Sequence, residues 1–88
     1  MRRDMKLCGR ILAEVEKQPT SGLTPVRIEG SKSEEVDFHV MLLNEAGLVD
    51  AEQVRESWHV RRLTWAGYEC LERERAIERR NTAGGTRV

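Results

Sequence analysis

The chain has few of the residues that build cross-linked folds or metal sites. Its 88 residues include two cysteines, two prolines and two histidines, and aromatic residues make up 5%. Cys8 and Cys70 form no CxxC motif, and neither His39 nor His59 has a second ligand at metal-site spacing. We therefore expect no metal, no cofactor and two reduced, partly buried thiols. The sequence leaves open a disulfide between the first and last helices.

Net charge and long apolar runs are absent too. Fifteen basic residues balance fifteen acidic ones, so any affinity for nucleic acid must come from a local excess of positive charge. No apolar run approaches the roughly 20 residues that a membrane span needs. The charged start, Met1 to Lys6, lacks the apolar segment of a signal peptide. We expect a cytoplasmic protein with no membrane partner.

The length leaves room for one small domain, and 39% hydrophobic residues supply one modest core. A core of that size provides no deep substrate cleft, so we expect no enzymatic activity. His39 stands in no triad or metal motif and is predicted to be a buried, hydrogen-bonded structural residue.

Apolar residues at three- and four-residue steps predict three helices. The first runs from Asp4, its N-cap, to Lys17. The second begins at Ser31 or Ser33 as N-cap and ends at Gly47. Thr64 caps the third, in which Gly67 indicates a close packing neighbour. The inward faces are Met5, Cys8, Ile11, Leu12 and Val15; Val36, His39, Val40, Leu43 and Ala46; and Trp65, Tyr68 and Leu71.

Alternation of apolar and polar residues predicts three short strands. The first is Val26 to Ile28, and it needs a partner elsewhere in the chain. The other two form a hairpin, from Leu48 to Val54 and from Trp58 to Leu63, whose alternation the pair Arg61 and Arg62 interrupts. We place Trp58, Trp65 and Tyr68 in the core rather than on a base-stacking surface. Residues 81–88 are predicted to be a disordered tail.

The order helix, strand, helix, hairpin, helix is that of a winged-helix domain, an α+β fold with three helices and a small antiparallel sheet. We therefore expect an abridged winged helix over residues 1–80, in which the first strand pairs with the hairpin and the wing is Val54 to Trp58. A complete helix-turn-helix would have one more helix before Ser31.

Two segments carry a family resemblance. Val36 to Val49 resembles the recognition helix and following strand of winged-helix repressors of the ArsR type, and Arg62-Leu63-Thr64-Trp65-Ala66-Gly67-Tyr68-Glu69 is similar to the step from their wing into the next helix. More closely, the segment Arg62 to Glu69 together with Arg3-Asp4-Met5-Lys6-Leu7, Ser33-Glu34-Glu35-Val36 and Phe38-His39 resembles the domain of unknown function 2513 family of bacteria and phages over residues 2 to 72. The resemblance implies the fold and a phage-related origin, and it implies no established activity.

Four basic residues form the predicted contact with double-stranded DNA. Lys32 lies at the entry of the second helix, Arg55 at the wing tip, and Arg61 with Arg62 on the returning strand. These side chains could hold backbone phosphates, which gives weak sequence specificity. We therefore predict a DNA-associated accessory or transcription-regulatory protein.

Charge also favours a different function. Residues 29–56 carry eight acidic side chains against two basic ones, a formal charge of −6, whereas the N terminus has a basic cluster of Arg2, Arg3, Lys6 and Arg10. The side chains at the outward positions of the second helix, which include Asp37 and Asn44, are mostly acidic and would repel phosphate groups. The alternative is a winged-helix protein-interaction module that does not bind DNA. It would form a homodimer or bind a protein partner through the acidic second helix or the charged last helix.

Overall fold

The computed structural model describes residues 1–18 and 22–86, with side chains to residue 79. Its helices are α1 (Met5–Glu16), α2 (Ser33–Glu45) and α3 (Trp65–Thr86), and its strands are β1 (Thr24–Pro25), β2 (Val49–Val54) and β3 (Ser57–Leu63). The described residues thus form three helices and one antiparallel sheet, the α+β class that the sequence predicts.

The sheet has the order β1-β3-β2, so the first strand does pair with the hairpin. Its predicted position was wrong. The paired residues are Thr24 with Val60 and Pro25 with His59, rather than residues of Val26 to Ile28. Ile28 is buried and its carbonyl accepts the Ser31 N–H in a turn. The alternation at Val26 to Ile28 therefore reflects burial against the core of a segment that has already left the sheet.

The hairpin contains the predicted irregularity at its arginine pair. Asp50 lies opposite Arg62, but Ala51 lies opposite Val60, so Arg61 is an extra residue on β3. Such a bulge bends a strand and moves side chains out of the strict alternation. It allows Arg61 and Arg62 to interrupt the apolar pattern while Val60 and Leu63 both remain buried.

Helix ends follow the sequence at the start of α1 and at the end of α2, but not at the start of α2. The Asp4 carboxylate accepts the backbone N–H groups of Lys6 and Leu7, which confirms the N-cap of α1. The N-cap of α2 was predicted wrongly: Lys32 occupies it without a side-chain capping bond. At the other end of α2, Gly47 adopts φ +77°, a left-handed conformation that favours glycine.

The core lies between the helices and one face of the sheet. α1 and α2 supply the predicted Cys8, Ile11, Leu12, Val15, Val36, Val40 and Leu43, and the sheet supplies Val49, Ala51, Val60 and Leu63. Met5 and Ala46, which were predicted to face inward, are exposed because they lie at the edges of the packed faces, at the start of α1 and just after the end of α2. Within the described residues no helix is long and apolar enough to cross a membrane.

The inward face of α3 differs from the prediction. Trp65 is 83% exposed and Tyr68 is 45% exposed, so neither is a core residue, whereas Trp58 is partly buried against the core. A side chain at Gly67 would overlap the carbonyl oxygen of Leu48. This contact turns Gly67 and Leu71 inward and leaves the two aromatic residues outside.

The Thr64 hydroxyl accepts the Gly67 N–H at 3.0 Å and so caps the start of α3 as predicted.

The end of α3 extends beyond the predicted domain boundary. The helical backbone continues to Thr86 and enters the segment 81–88. The disorder of that segment stays a prediction, and residues 87 and 88 lie outside the described residues.

Candidate nucleic-acid interface

Lys32 lies exposed at the start of α2, where the first backbone N–H groups of the helix point outward. Arg2 and Arg3 line the same surface depression, together with Glu34 and Glu35. Two residues of the N-terminal cluster and the predicted α2 contact therefore meet at one place. With Asp4, which also lines the depression, the two glutamates balance the three basic side chains there.

Arg55 occupies the hairpin turn between β2 and β3. Val54 pairs with Ser57, so the turn consists of Arg55 and Glu56. Arg55 has φ +59°, a conformation that few residues other than glycine adopt. Its exposed side chain projects from the tip, and no described carboxylate lies within ion-pair distance of it.

Arg61 and Arg62 lie side by side at the bulge, and each is paired within the hairpin. The Arg61 guanidinium is 3.3 Å from the Glu52 carboxylate, and the Arg62 guanidinium is 3.9 Å from the Asp50 carboxylate. All four side chains are at least one-third exposed. Pairs this exposed contribute about 0 to 1 kcal/mol, so a phosphate can compete for either arginine.

Two polar residues of α2 hold the hairpin in place, although both were predicted to face outward. The Asp37 carboxylate accepts the Trp58 N–H at 3.2 Å and the Ser57 hydroxyl at 3.4 Å. The Asn44 side-chain oxygen accepts the Ala51 N–H at 3.1 Å, beside the bulge. These bonds hold the hairpin against α2 at two points, one near the tip of the hairpin and one near its base.

The Asp37 contact is the feature of the site that sequence reasoning missed. It joins residues 21 positions apart, and no local pattern marks an acidic side chain of a helix as the partner of a hairpin. The proximity of Arg2 and Arg3 to Lys32 was missed for a similar reason, since it depends on how α1 packs against α2.

The exposed face of α2 carries acidic and apolar side chains rather than basic ones. Glu34 and Glu45 are exposed, while Phe38 and Met41 between them are half-buried. These four positions share one side of the helix because they are separated by three, four or seven residues. Among the residues of α2 and the hairpin, the basic side chains therefore lie at the N-terminal end of α2 and on the hairpin.

His39 is the buried structural residue that the sequence predicts. Its side chain is fully buried, its Nε2 accepts the Asp4 N–H at 2.8 Å, and its Nδ1 lies 2.7 Å from the Glu35 carbonyl. A carbonyl only accepts, so Nδ1 carries the ring proton. The Nε2 bond joins the start of α1 to α2, and the Nδ1 contact lies within α2 and orients the ring.

The two cysteines line one apolar cavity of about 350 Å³ between α1, the end of α2 and α3. Both are free thiols, and burial raises the pKa of the Cys8 thiol. A raised pKa lowers the thiolate fraction and hence the reactivity of that cysteine. In the described part of the chain, no three metal-binding side chains are grouped to hold an ion.

Comparisons with known proteins place the chain in a family. It matches the family described as Hypothetical protein (DUF2513) over residues 2–80. An uncharacterized protein of Haemophilus influenzae (strain ATCC 51907 / DSM 11121 / KW20 / Rd) is 37% identical over 81 residues, which cover 85% of this chain and 69% of the relative. No solved structure matches significantly. The family match and the relative agree with the resemblance read from the sequence, and the chain belongs to the DUF2513 family of hypothetical proteins.

Proposed function

We propose that this protein is a non-enzymatic winged-helix protein of phage-related origin that associates with double-stranded DNA as an accessory or transcription-regulatory factor. The observation that carries the proposal is the attachment of the hairpin to α2 by Asp37. It holds the turn that bears Arg55 beside the N-terminal half of α2, whose N-cap is Lys32.

The topology supports the winged-helix assignment. The order α1, β1, α2, β2, β3, α3 and the sheet order β1-β3-β2 are those of a winged helix that lacks the helix before its recognition helix. In this assignment α2 is the recognition helix and the turn at Arg55 is the tip of the wing. Fold alone does not determine function, so the proposal also depends on where the charged side chains lie.

The charges favour contact with phosphates over reading of bases. Lys32 and Arg55 are exposed and lack a described ion-pair partner, and Arg61 and Arg62 are held by weak exposed pairs. The face of α2 between them presents Glu34 and Glu45, which repel a groove lined with phosphates. The proposed complex is therefore weakly sequence-specific and sensitive to salt.

Fluorescence anisotropy with a labelled mixed-sequence duplex tests the proposal. Four phosphate contacts give a slope of about −3.6 in log affinity against log salt, which is a loss on the order of 100-fold between 50 and 200 mM salt. The double variant Arg61→Ala/Arg62→Ala should reduce that slope by up to about two phosphates and weaken all sequences alike. Arg27→Ala/Lys17→Ala, which removes two exposed charges outside the hairpin, is the control.

The hairpin ion pairs allow a test in the opposite direction. Asp50→Asn/Glu52→Gln releases both arginines and should strengthen binding, whereas Glu14→Gln/Glu29→Gln removes the same charge elsewhere and should change it less. Normal binding by the Arg61/Arg62 variant, combined with loss of binding in Lys6→Ala/Arg10→Ala, would show that the contact lies on α1 and that the winged-helix mode is wrong.

The alternative function is a protein-interaction module that never contacts DNA. The observation that favours it is the exposed face of α2, where Phe38 and Met41 lie between Glu34 and Glu45. Such a face suits a basic, partly apolar partner better than a nucleic acid. Absence of binding to mixed duplex DNA at low salt would favour this alternative.

A further inference from the structure

The outward side of α3 presents a surface that the fold leaves uncovered. Gly67 and Leu71 are buried, and Cys70 and Glu74 are half-buried, so these residues mark the inward side. With 3.6 residues per turn, the opposite side is formed by residues that are all exposed: Trp65, Tyr68, Glu69, Glu72, Ala76 and Arg79. We call these six residues the outer face of α3.

Two aromatic residues make the outer face unusual. Trp65 is 83% exposed and Tyr68, one turn later, is 45% exposed. Large apolar side chains are costly in water, and tryptophan and tyrosine are enriched where proteins bind one another. Both residues lie on the side of α3 opposite to Gly67, and Gly67 packs against the Leu48 carbonyl. No packing requirement of the described fold explains them.

Charge is divided along the same helix. The first half of the outer face carries Glu69 beside the aromatic pair, the second half carries Arg79, with exposed Arg73 on its flank, and Glu72 lies between the halves. The division makes the surface complementary to itself when a second helix lies against it in the opposite direction. A parallel arrangement would instead bring like charges together.

We propose that two copies of the chain associate through the outer faces of α3 in antiparallel orientation, with Trp65 of each copy against Arg79 of the other. Trp65 and Arg79 are 14 residues apart, about 21 Å along the helix. A two-fold axis near Glu72, midway between them, superimposes each on the other. Tryptophan is the best aromatic partner for a guanidinium group. The proposal concerns a surface separate from Lys32, Arg55 and the bulge, and it does not depend on DNA binding.

The predicted dimer is weak. One pair of helices over about 21 Å forms a small interface, and the two Glu72 carboxylates approach each other at the axis. We therefore expect dissociation in the micromolar range and a dependence on protein concentration. Glu72→Gln should tighten the dimer, because it removes the like charges at the axis.

Sedimentation equilibrium of the full chain measures the association. The mass should rise from 10.1 kDa towards twice that value as concentration increases. Trp65→Ala should weaken the dimer by about tenfold or more, as expected for a tryptophan–arginine contact at an interface. Because Trp65 is so exposed, the variant should keep its circular dichroism spectrum. Phe38→Ala, an aromatic truncation on α2, is the matched control.

Charge exchange tests the orientation. Glu69→Arg/Glu72→Arg makes the outer face basic, and Arg73→Glu/Arg79→Glu makes it acidic. Each variant alone should be monomeric, and an equimolar mixture should form a heterodimer. A protein that stays at 10.1 kDa at all concentrations would overturn the proposal. So would a dimer that Phe38→Ala disrupts and Trp65→Ala does not, since that result would place the interface on α2.

Discussion

The substitution Gly67→Ala has two opposing effects on the free energy of unfolding. Alanine in place of glycine favours a helix by up to about 1 kcal/mol, and by less in the first turn, where Gly67 lies. Against this, the new Cβ would overlap the carbonyl oxygen of Leu48 and lie 3.3 Å from the Cβ of Leu63. Forcing additional atoms into packed contacts costs about 1 to 3 kcal/mol.

The Leu48 carbonyl has little freedom to move away. It accepts the Thr64 N–H at 3.0 Å, and Thr64 in turn caps α3 and donates from its hydroxyl to the Gly47 carbonyl at 2.6 Å. Relieving the overlap would disturb all three bonds. We therefore expect Gly67→Ala to destabilise the protein by about 1 to 2 kcal/mol, which lowers Tm by about 4 to 16 °C for a domain of this size.

Gly9→Ala is the matched control, because Gly9 lies inside α1 and its added Cβ would meet nothing within 4 Å. Here only the helix preference acts, so the substitution should stabilise the protein by up to about 1 kcal/mol. Urea denaturation followed by circular dichroism measures both variants. A Gly67→Ala protein as stable as the parent would refute the reasoning that the Leu48 contact fixes the orientation of α3.

Three further predictions concern bonds between elements. His39→Phe should lower the free energy of unfolding in urea by about 1 to 3 kcal/mol, because it leaves the Asp4 N–H without its acceptor, and unchanged stability would contradict that role. Asp37→Ala should speed amide hydrogen exchange at Trp58 whereas Asp37→Asn, which keeps the acceptor oxygen, should do so less; equal exchange in both variants would contradict the bond. The Arg75 guanidinium donates to the two Glu16 carboxylate oxygens at 2.6 and 3.2 Å, which lowers the pKa of Glu16 below its ordinary value of 4.5. The pair therefore stabilises the folded state above that pH, and this contribution is lost as the pH falls through the lowered pKa. The small difference in Tm between the parent and Glu16→Gln should therefore be present at pH 7 and vanish in acid, and a difference that persists in acid would contradict this assignment.

Sequence patterns predicted the local features of the fold well. Asp4 and Thr64 cap helices as expected, Gly47 ends α2, and the pair Arg61 and Arg62 marks the bulge. Each of these features depends on one residue type or on a break in a short pattern. Most inward positions of α1 and α2 followed from periodicity for the same reason; the exceptions, Met5 and Ala46, lie at the ends of the two stripes and are exposed.

The prediction for α3 failed because its apolar pattern is ambiguous. Trp65, Tyr68 and Leu71 follow three-residue steps, but only Leu71 is buried. The sequence did contain the deciding signal, since Gly67 indicated a close neighbour and therefore an inward position. Applying that inference to the whole helix would have turned Trp65 outward. The hairpin contacts of Asp37 and Asn44 had no such signal, because they depend on tertiary packing across 21 and 7 residues.

The bond between Arg75 and Glu16 shows the same limit. The sequence predicts the charged part of α3 as a solvated helix supported by its own charge pairs, whereas Arg75 makes a bidentate contact with a residue 59 positions earlier. The pattern of charges indicates a helix. It does not reveal which of the many carboxylates the helix will meet.

The most direct test of the proposed function is a map of amide chemical shifts in the full chain as a short mixed-sequence duplex is added at low salt. We expect changes at Lys32, at Arg55 and its neighbours in the turn, and at Arg61 and Arg62 on β3, with much smaller changes along the acidic face of α2. A spectrum that does not change, or changes confined to residues 5–16 of α1, would contradict it.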